Sequence, residues 1–311
     1  MKKKGYNYRF ISYNDFQYNS RNKNKTKSIV IMFVILIIII LLIMTINIQS
    51  NIQSSEDSAS IAIMQSQLEE EKQLKEQERI RKEEEERRAK LPVLTEVGKQ
   101  NMENIYHSEI KRVFLTFDDG PSNNTHQILD TLKNENVKAT FFMLGRNVEI
   151  FPETTKRVYN EGHYIANHGY THEYSSIYSS PQAVLDEYVR CNNAVKNALG
   201  EPEYNSHLFR FPGGLPGGKY ASIKQEAKQL LTDNNILSID WNSLTGDAET
   251  SHPEQEKLMQ KLKDTSDGKN NLVILMHDAE AKKVTADMLP DIITYLREQG
   301  YEFKSFYDII K

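Results

Sequence analysis

Residues 115–122 read LTFDDGPS, preceded by Val113-Phe114. An apolar run therefore ends in two adjacent carboxylates, Asp118 and Asp119, followed by Gly120-Pro121. A buried strand normally excludes even one carboxylate, and neighbouring carboxylates repel, so the pair costs stability unless something offsets it. A strand-ending Asx turn closed by Gly120 and Pro121 accounts for one aspartate. The second calls for another explanation.

Outward from this point, about 200 residues alternate strand-like and helix-like stretches. The strand-like ones are 112–117, 139–144, 164–167, 208–211, 236–241, 272–276 and 301–304. Helical patterns lie between them at 125–134, 151–161, 181–199, 220–233, 253–263 and 285–299, the last with Met288, Leu289, Ile292, Ile293 and Leu296 on one face. Repeated strand–helix units with apolar strands predict an α/β fold, a parallel sheet covered by helices. About seven strands, with no Gly-rich dinucleotide fingerprint, favour a distorted or incomplete (β/α) barrel over an open doubly wound sheet.

The N-terminal part has a different character. Ile29 to Met44 is an unbroken run of sixteen apolar residues, and Thr45 and Ile46 extend it to about the length that crosses a bilayer. Residues 1–27 carry eight Lys or Arg against one acid, Asp15. That asymmetry predicts a basic cytoplasmic tail at 1–28, a transmembrane anchor at 29–46 and an extracytoplasmic remainder. A cleaved signal peptide fits less well, because the apolar core is long and no small-residue cleavage site follows.

A charged helical stalk is expected over 47–90. Nine acids and eight bases lie between Glu69 and Lys90, with acid-first i,i+4 pairs such as Glu71–Lys75 and Glu83–Arg87. Ile61, Met64 and Leu68 begin a coiled-coil seam, but Leu74 and Ile80 fall out of register. Residues 91–108 read as a linker, and 109–311 as the folded domain. Cys191 is the only cysteine, so no internal disulfide forms. From Ser108 to Lys311 there are 22 Lys or Arg against 29 Asp or Glu, a net charge of −7 that disfavours nucleic acid as a partner.

Active sites of parallel barrels lie at the C-terminal ends of the strands. There the sequence places Asp118 and Asp119, His168, Arg210, Asp240-Trp241 and His277-Asp278. His168 and His172, four residues apart, can grip one metal ion if they share a helical turn; a carboxylate completes a two-His, one-Asp set that leaves room for water. Such a site suits hydrolysis assisted by Zn²⁺ or a similar divalent ion. Each piece has a plainer reading: paired histidines on a loop that bind nothing, a helix N-cap at His277-Asp278, a Pro-Gly turn in RFPGG. Five such segments at one rim favour chemistry.

In this order, TFDDG (116–120), HGYTH (168–172), RFPGG (210–214), DW (240–241) and LMHD (275–278), with KATFF (138–142) in support, resemble the NodB-like polysaccharide deacetylases of carbohydrate esterase family four. The resemblance covers roughly 110–311. It implies that Asp119, His168 and His172 hold one divalent metal, Zn²⁺ or else Co²⁺, Ni²⁺ or Mn²⁺. It further implies Asp118 as general base, His277 as general acid, Asp240 as the carboxylate that tunes that acid, and Arg210 as the residue that orients the base. Trp241 and Leu275 become the walls of an acetyl groove, and the Gly213 N–H an oxyanion donor. Many members carry a tyrosine at the Gly213 position; the change keeps a backbone donor and bears on any side-chain contact to the sugar. Asp247, in the segment NSLTGDAE after Trp241, receives no role.

The function this implies is metal-dependent removal of N-acetyl groups from N-acetylglucosamine in a cell-wall glycan, peptidoglycan above all. An O-acetyl esterase, a deacetylase of chitin or another surface glycan, and a catalytically silent glycan-binding protein are the alternatives.

Overall fold

The computed structural model describes residues 31–45, 57–250 and 253–311. The strands are β1 (Arg112–Asp118), β2 (Thr140–Met143), β3 (Tyr164–Asn167), β4 (Leu208–Phe209), β5 (Leu237–Ser238), β6 (Ser243–Leu244), β7 (Asn271–His277) and β8 (Glu302–Lys304). All pair in parallel in the order β5-β4-β3-β2-β1-β7-β6, with β8 beside β1. This is the expected α/β arrangement. The fifth expected strand, 236–241, is the one that differs, because it splits into β5 and β6.

That split draws the two ends of the sheet together. Ile239 N donates to Phe209 O beside β4, and Asn242 N, three residues on, donates to Val273 O of β7. One short stretch of chain thus changes partner between β5 and β6. Asp240 and Trp241 sit at the change.

Alternation along β1 sorts its side chains. Val113, Leu115 and Phe117 face the helices, in a core with Leu129, Leu132, Ile292 and Ile293. Phe114 faces the other way, with Phe142, Tyr164, Leu208 and Val273. Thr116 and Asp118 share the parity of Phe114, so this inner face turns polar toward the strand ends. Phe117 and Phe141 stack at 5.1 Å, and truncating either to alanine costs about 3–5 kcal/mol.

Residues 91–108, read as a linker from sequence, carry structure of their own. Helix Glu96–Glu103 lies here, capped by Thr95, and Met102 and Ile105 are buried in the inner core beside Phe306, Ile309 and Ile310. The C-terminal helix Tyr307–Ile310 receives it, with Thr95 N donating to Ile310 O at 3.0 Å. Apolar residues from both ends of the domain thus close the inner face, which supplies the physical reason for the packing.

Two compact units divide at Glu85 and Glu86. In the first, residues 31–45 form a helix with almost wholly exposed apolar side chains. Among the described residues no helix is both long and apolar enough to cross a membrane. Positions 29, 30 and 46 of the expected anchor, and residues 1–28 and 47–56, lie outside the described residues. Helix Asp57–Lys90 is 34 residues long, about 50 Å at ~1.5 Å per residue. Lys75–Glu71 at 2.5 Å and Arg79 with Glu76 and Glu83 line it with ion pairs. Cys191 is buried and free.

Candidate active site

Asp118 closes β1 and His277 closes β7, and the register pairs these two residues directly. The carboxylate and the imidazole are therefore side by side because both strands end at the same level. Arg210, fully buried after β4, donates from Nη1 to Asp118 Oδ1 at 2.8 Å and to Thr116 Oγ1 at 2.8 Å. Its guanidinium lies 3.9 Å over the Phe142 ring, which holds the fork in one orientation. Burial pushes the Asp118 carboxyl upward, with Arg210 and His277 pulling the other way.

Asp119 has a left-handed backbone, φ 72°, which swings its side chain away from that of Asp118. Gly120 is needed behind it: an added Cβ would lie 2.2 Å from Asp278 Oδ2. Asp278 is not the N-cap its position allowed. It is buried, accepts from Thr125 Oγ1 at 2.6 Å, donates its N–H to Asp118 O at 3.1 Å, and burial raises its carboxyl to about 7. The cap of helix Asn123–Asn134 is Ser122, whose hydroxyl donates to Asp278 O at 2.5 Å.

His168 and His172 reach Asp119 from a loop, not from the helical turn expected; His172 has φ 62°. Asp119 Oδ1 lies 3.6 Å from His168 Nε2 and 3.5 Å from His172 Nε2. It is a buried oxygen with no hydrogen-bond partner among the described residues. His168 Nδ1 donates to Arg210 O at 2.8 Å, so Nε2 carries the lone pair, and burial pushes this imidazole down to about 3. A neutral imidazole, a second imidazole and an orphaned carboxylate oxygen converging within 4.8 Å fit a divalent cation.

The expected partner of His277 is corrected by the geometry. Asp240 accepts from Leu215 N at 3.1 Å and does not touch His277. Asp247 does: Oδ1 accepts from His277 Nδ1 and Oδ2 from His277 N, both at 2.8 Å. Thr285 Oγ1 adds a bond to Asp247 at 2.7 Å. Asp247 lies three residues past β6, and β6 neighbours β7, so the loop reaches the end of β7. Burial alone would lower the His277 imidazole, but Asp247 more than offsets that, with Asp118 and Asp119 adding, and His277 rises to about 9. Asp240 instead pins the turn after Arg210.

That turn holds Gly213 at φ 73°, and its N–H donates to no described group. Trp241 is half-buried against the turn, 3.1 Å from where a Cβ on Gly214 would lie. Leu275, on β7 two residues before His277, is 8% exposed on the same face. All ten residues expected at the site thus come to one end of the sheet, with the role of Asp240 reassigned.

Residues 106–232 match the polysaccharide deacetylase family. A peptidoglycan-N-acetylglucosamine deacetylase of Bacillus cereus is 34% identical over 218 residues, which is 68% of this chain and 76% of that protein. This chain belongs to the polysaccharide deacetylase family. Solved structures agree. A Streptococcus mutans CE4 esterase superposes with a TM-score of 0.60 at 32% identity, covering 68% of this chain and 92% of that one. The catalytic domain of a peptidoglycan N-acetylglucosamine deacetylase from Eubacterium rectale does so with 0.59 at 30%, covering 64% and 90%.

One residue of this deacetylase-family site had no signature in the sequence. Glu187, on helix Pro181–Leu199, is 5% exposed, and its Oε2 accepts from the backbone N–H groups of Tyr170 and Thr171 at 2.7 Å each. It ties the loop between the two histidines. Glu187→Ala is expected to weaken Zn²⁺ binding about 10- to 100-fold without unfolding the domain. Calorimetric titration with Zn²⁺ checks this; an unchanged affinity would overturn the role.

Proposed function

We propose that this chain is a hydrolase that removes N-acetyl groups from N-acetylglucosamine residues of cell-wall glycan, most specifically peptidoglycan, and releases acetate. The observation that carries the reading is the single rung where Asp118, held by Arg210, faces His277, held by Asp247, beside the Asp119, His168 and His172 cluster. A glycan-binding module has no use for such a set. The relatives named above act on peptidoglycan or belong to the same esterase family, which supports the substrate class.

Each residue's chemistry follows from its surroundings. When bound at Asp119, His168 and His172, a divalent cation such as Zn²⁺, with Co²⁺, Ni²⁺ or Mn²⁺ as alternatives, supplies a Lewis acid that polarises the acetamide carbonyl and acidifies water. Asp118 lies 3.7 Å from His168 Nε2, so its carboxylate stands beside that cluster and takes the proton of the attacking water. Burial, which raises its basicity, suits it to that task. Arg210 keeps it in place. The Gly213 N–H is a donor for the developing oxyanion. The leaving amine is a poor leaving group, and His277, cationic at neutral pH, gives its proton to the nitrogen as the C–N bond breaks. Trp241 and Leu275 exclude water from the acetyl methyl.

Membrane anchoring through 29–46, with the catalytic domain outside, belongs to the same reading. It rests on the apolar run, the basic flank and the exposed apolar side chains of 31–45. The charged helix Asp57–Lys90 then serves as a spacer toward the wall.

Acetate release by the full chain in detergent from purified peptidoglycan is expected, and a chelator is expected to abolish it with Zn²⁺ restoring it. No chelator-sensitive release from any N-acetylated glycan would sink the proposal. The S. mutans esterase favours a second reading, an O-acetyl esterase. N-acetyl and O-acetyl substrates assayed side by side decide between them.

A further inference from the structure

The Gly213 position presents no side chain, yet the space beside it is filled. A Cβ built there would lie 2.5 Å from the hydroxyl oxygen of Tyr174, a residue from the other side of the site. Tyr174 opens the short helix Tyr174–Ile177, two residues past His172. Its ring leans on the His172 ring at 5.4 Å and on the Tyr178 ring at 5.8 Å. Tyr178 is itself buried and donates to Pro212 O at 2.7 Å, so the support is rigid and tied to the same turn as Gly213.

The hydroxyl of Tyr174 makes no hydrogen bond to any described residue, and the side chain is 42% exposed. The hydroxyl, a donor and an acceptor, is thus available to a ligand. Here the ring leans on two neighbouring rings and the polar tip lies beside the Gly213 turn. On the next residue of the turn, Gly214, the Cβ direction meets Trp241 instead, at 3.1 Å. Two adjacent glycines are thus flanked by two aromatic side chains, one beside the histidine loop and one beside the β5–β6 change of partner.

We propose that Tyr174 is a substrate-binding residue whose hydroxyl hydrogen-bonds a sugar hydroxyl of the glycan, in the space that a side chain at 213 would otherwise take. The proposal rests on the deacetylase reading above and deepens it. The reacting carbonyl is served by other groups, so the contact acts on the bound sugar in ground and transition state alike. Its loss raises KM and leaves kcat in place. Tyr174 and a side chain at 213 exclude one another, so Gly213→Ala displaces the same hydroxyl that Tyr174→Phe deletes.

Trp241 is the only tryptophan of the chain, and it reports occupancy of the groove by its fluorescence. In the Asp118→Asn protein, which binds without turnover, titration with the N-acetylglucosamine tetramer is expected to give a Kd about tenfold higher once Tyr174→Phe is added. With Asp118 intact, Tyr174→Phe raises KM by the same factor and changes kcat by less than about twofold. Gly213→Ala crowds the same hydroxyl and also strains a backbone at φ 73° that carries the oxyanion donor, so it lowers kcat as well as weakening binding. A melting temperature lowered by Tyr174→Phe with Kd unmoved would show a packing role and overturn the proposal. Wild-type turnover separates the two readings. If wild type neither binds nor deacetylates any N-acetylated glycan, the functional reading falls and this one with it. Turnover with an unmoved Kd in Tyr174→Phe overturns this one alone.

Discussion

Asp119→Ala loses the metal and the activity together, whereas Asp118→Asn keeps the metal and loses about a thousandfold in kcat. The asymmetry follows from where each carboxylate is held. Asp119 Oδ1 has no protein partner among the described residues and lies 3.5–3.6 Å from two imidazole nitrogens, so its remaining purpose is ligation. Asp118 already has the Arg210 guanidinium on one oxygen and presents the other beside His168. Its amide replacement keeps the shape and removes the base. Zn²⁺ titration of both variants, alongside acetate release, is the measurement. Equal metal loss in the two would show that the aspartates do not divide the work.

Asp247→Asn moves the alkaline limb of kcat/KM to lower pH by more than one unit, and Asp240→Asn leaves that limb in place. The general acid works only while protonated, so activity is present below its pKa and is lost as pH rises through it. With Asp247 ionised the His277 imidazole stands at about 9. Burial pushes it down and the Asp247 carboxylate pushes it up, so without that charge burial prevails; a neighbouring carboxylate is worth roughly 1–3 units. At pH 8 the variant is therefore expected to lose between about twofold and 100-fold in kcat/KM. Asp240 acts on the turn of Gly213 through Leu215 N, so its amide variant is read in the height of kcat, through the oxyanion donor, and not in the position of the limb. Should Asp240→Asn shift the limb and Asp247→Asn not, the reassignment fails.

The sequence carried the groups that chemistry requires but not always the groups that hold them. Asp118, Asp119, His168, His172, Arg210 and His277 were legible because each closes or follows an apolar strand, where a charged residue is conspicuous. Asp240 is just as conspicuous, and the resemblance assigns it the partner that Asp247 has in the structure. Its segment reads as one strand, whereas the chain there changes neighbours, which carries the next carboxylate, Asp247, to the end of β7. Glu187 and Tyr174 left no signal. One lies in the middle of an ordinary amphipathic helix and the other opens a single helical turn, and only folding brings them to the histidines. Burial of 91–108 was hidden likewise: Met102 and Ile105 are too few to mark a core until Phe306 and Ile310 meet them.

Arg210 binds more than the base. Its Nε donates to Ile239 O at 3.2 Å and its Nη2 to Asp240 O at 3.1 Å, the carbonyls released where the chain leaves β4 for β7. Without those bonds a buried and a half-buried acceptor lose their partner, and breaking the buried pair with Asp118 adds about 3–5 kcal/mol. One guanidinium thus serves the reaction and joins the walls of the fold. A descendant of this protein that abandoned hydrolysis could shed Asp119 and His172 at little structural cost, yet it would inherit the arginine, as a keystone outlives the gate it was set to span.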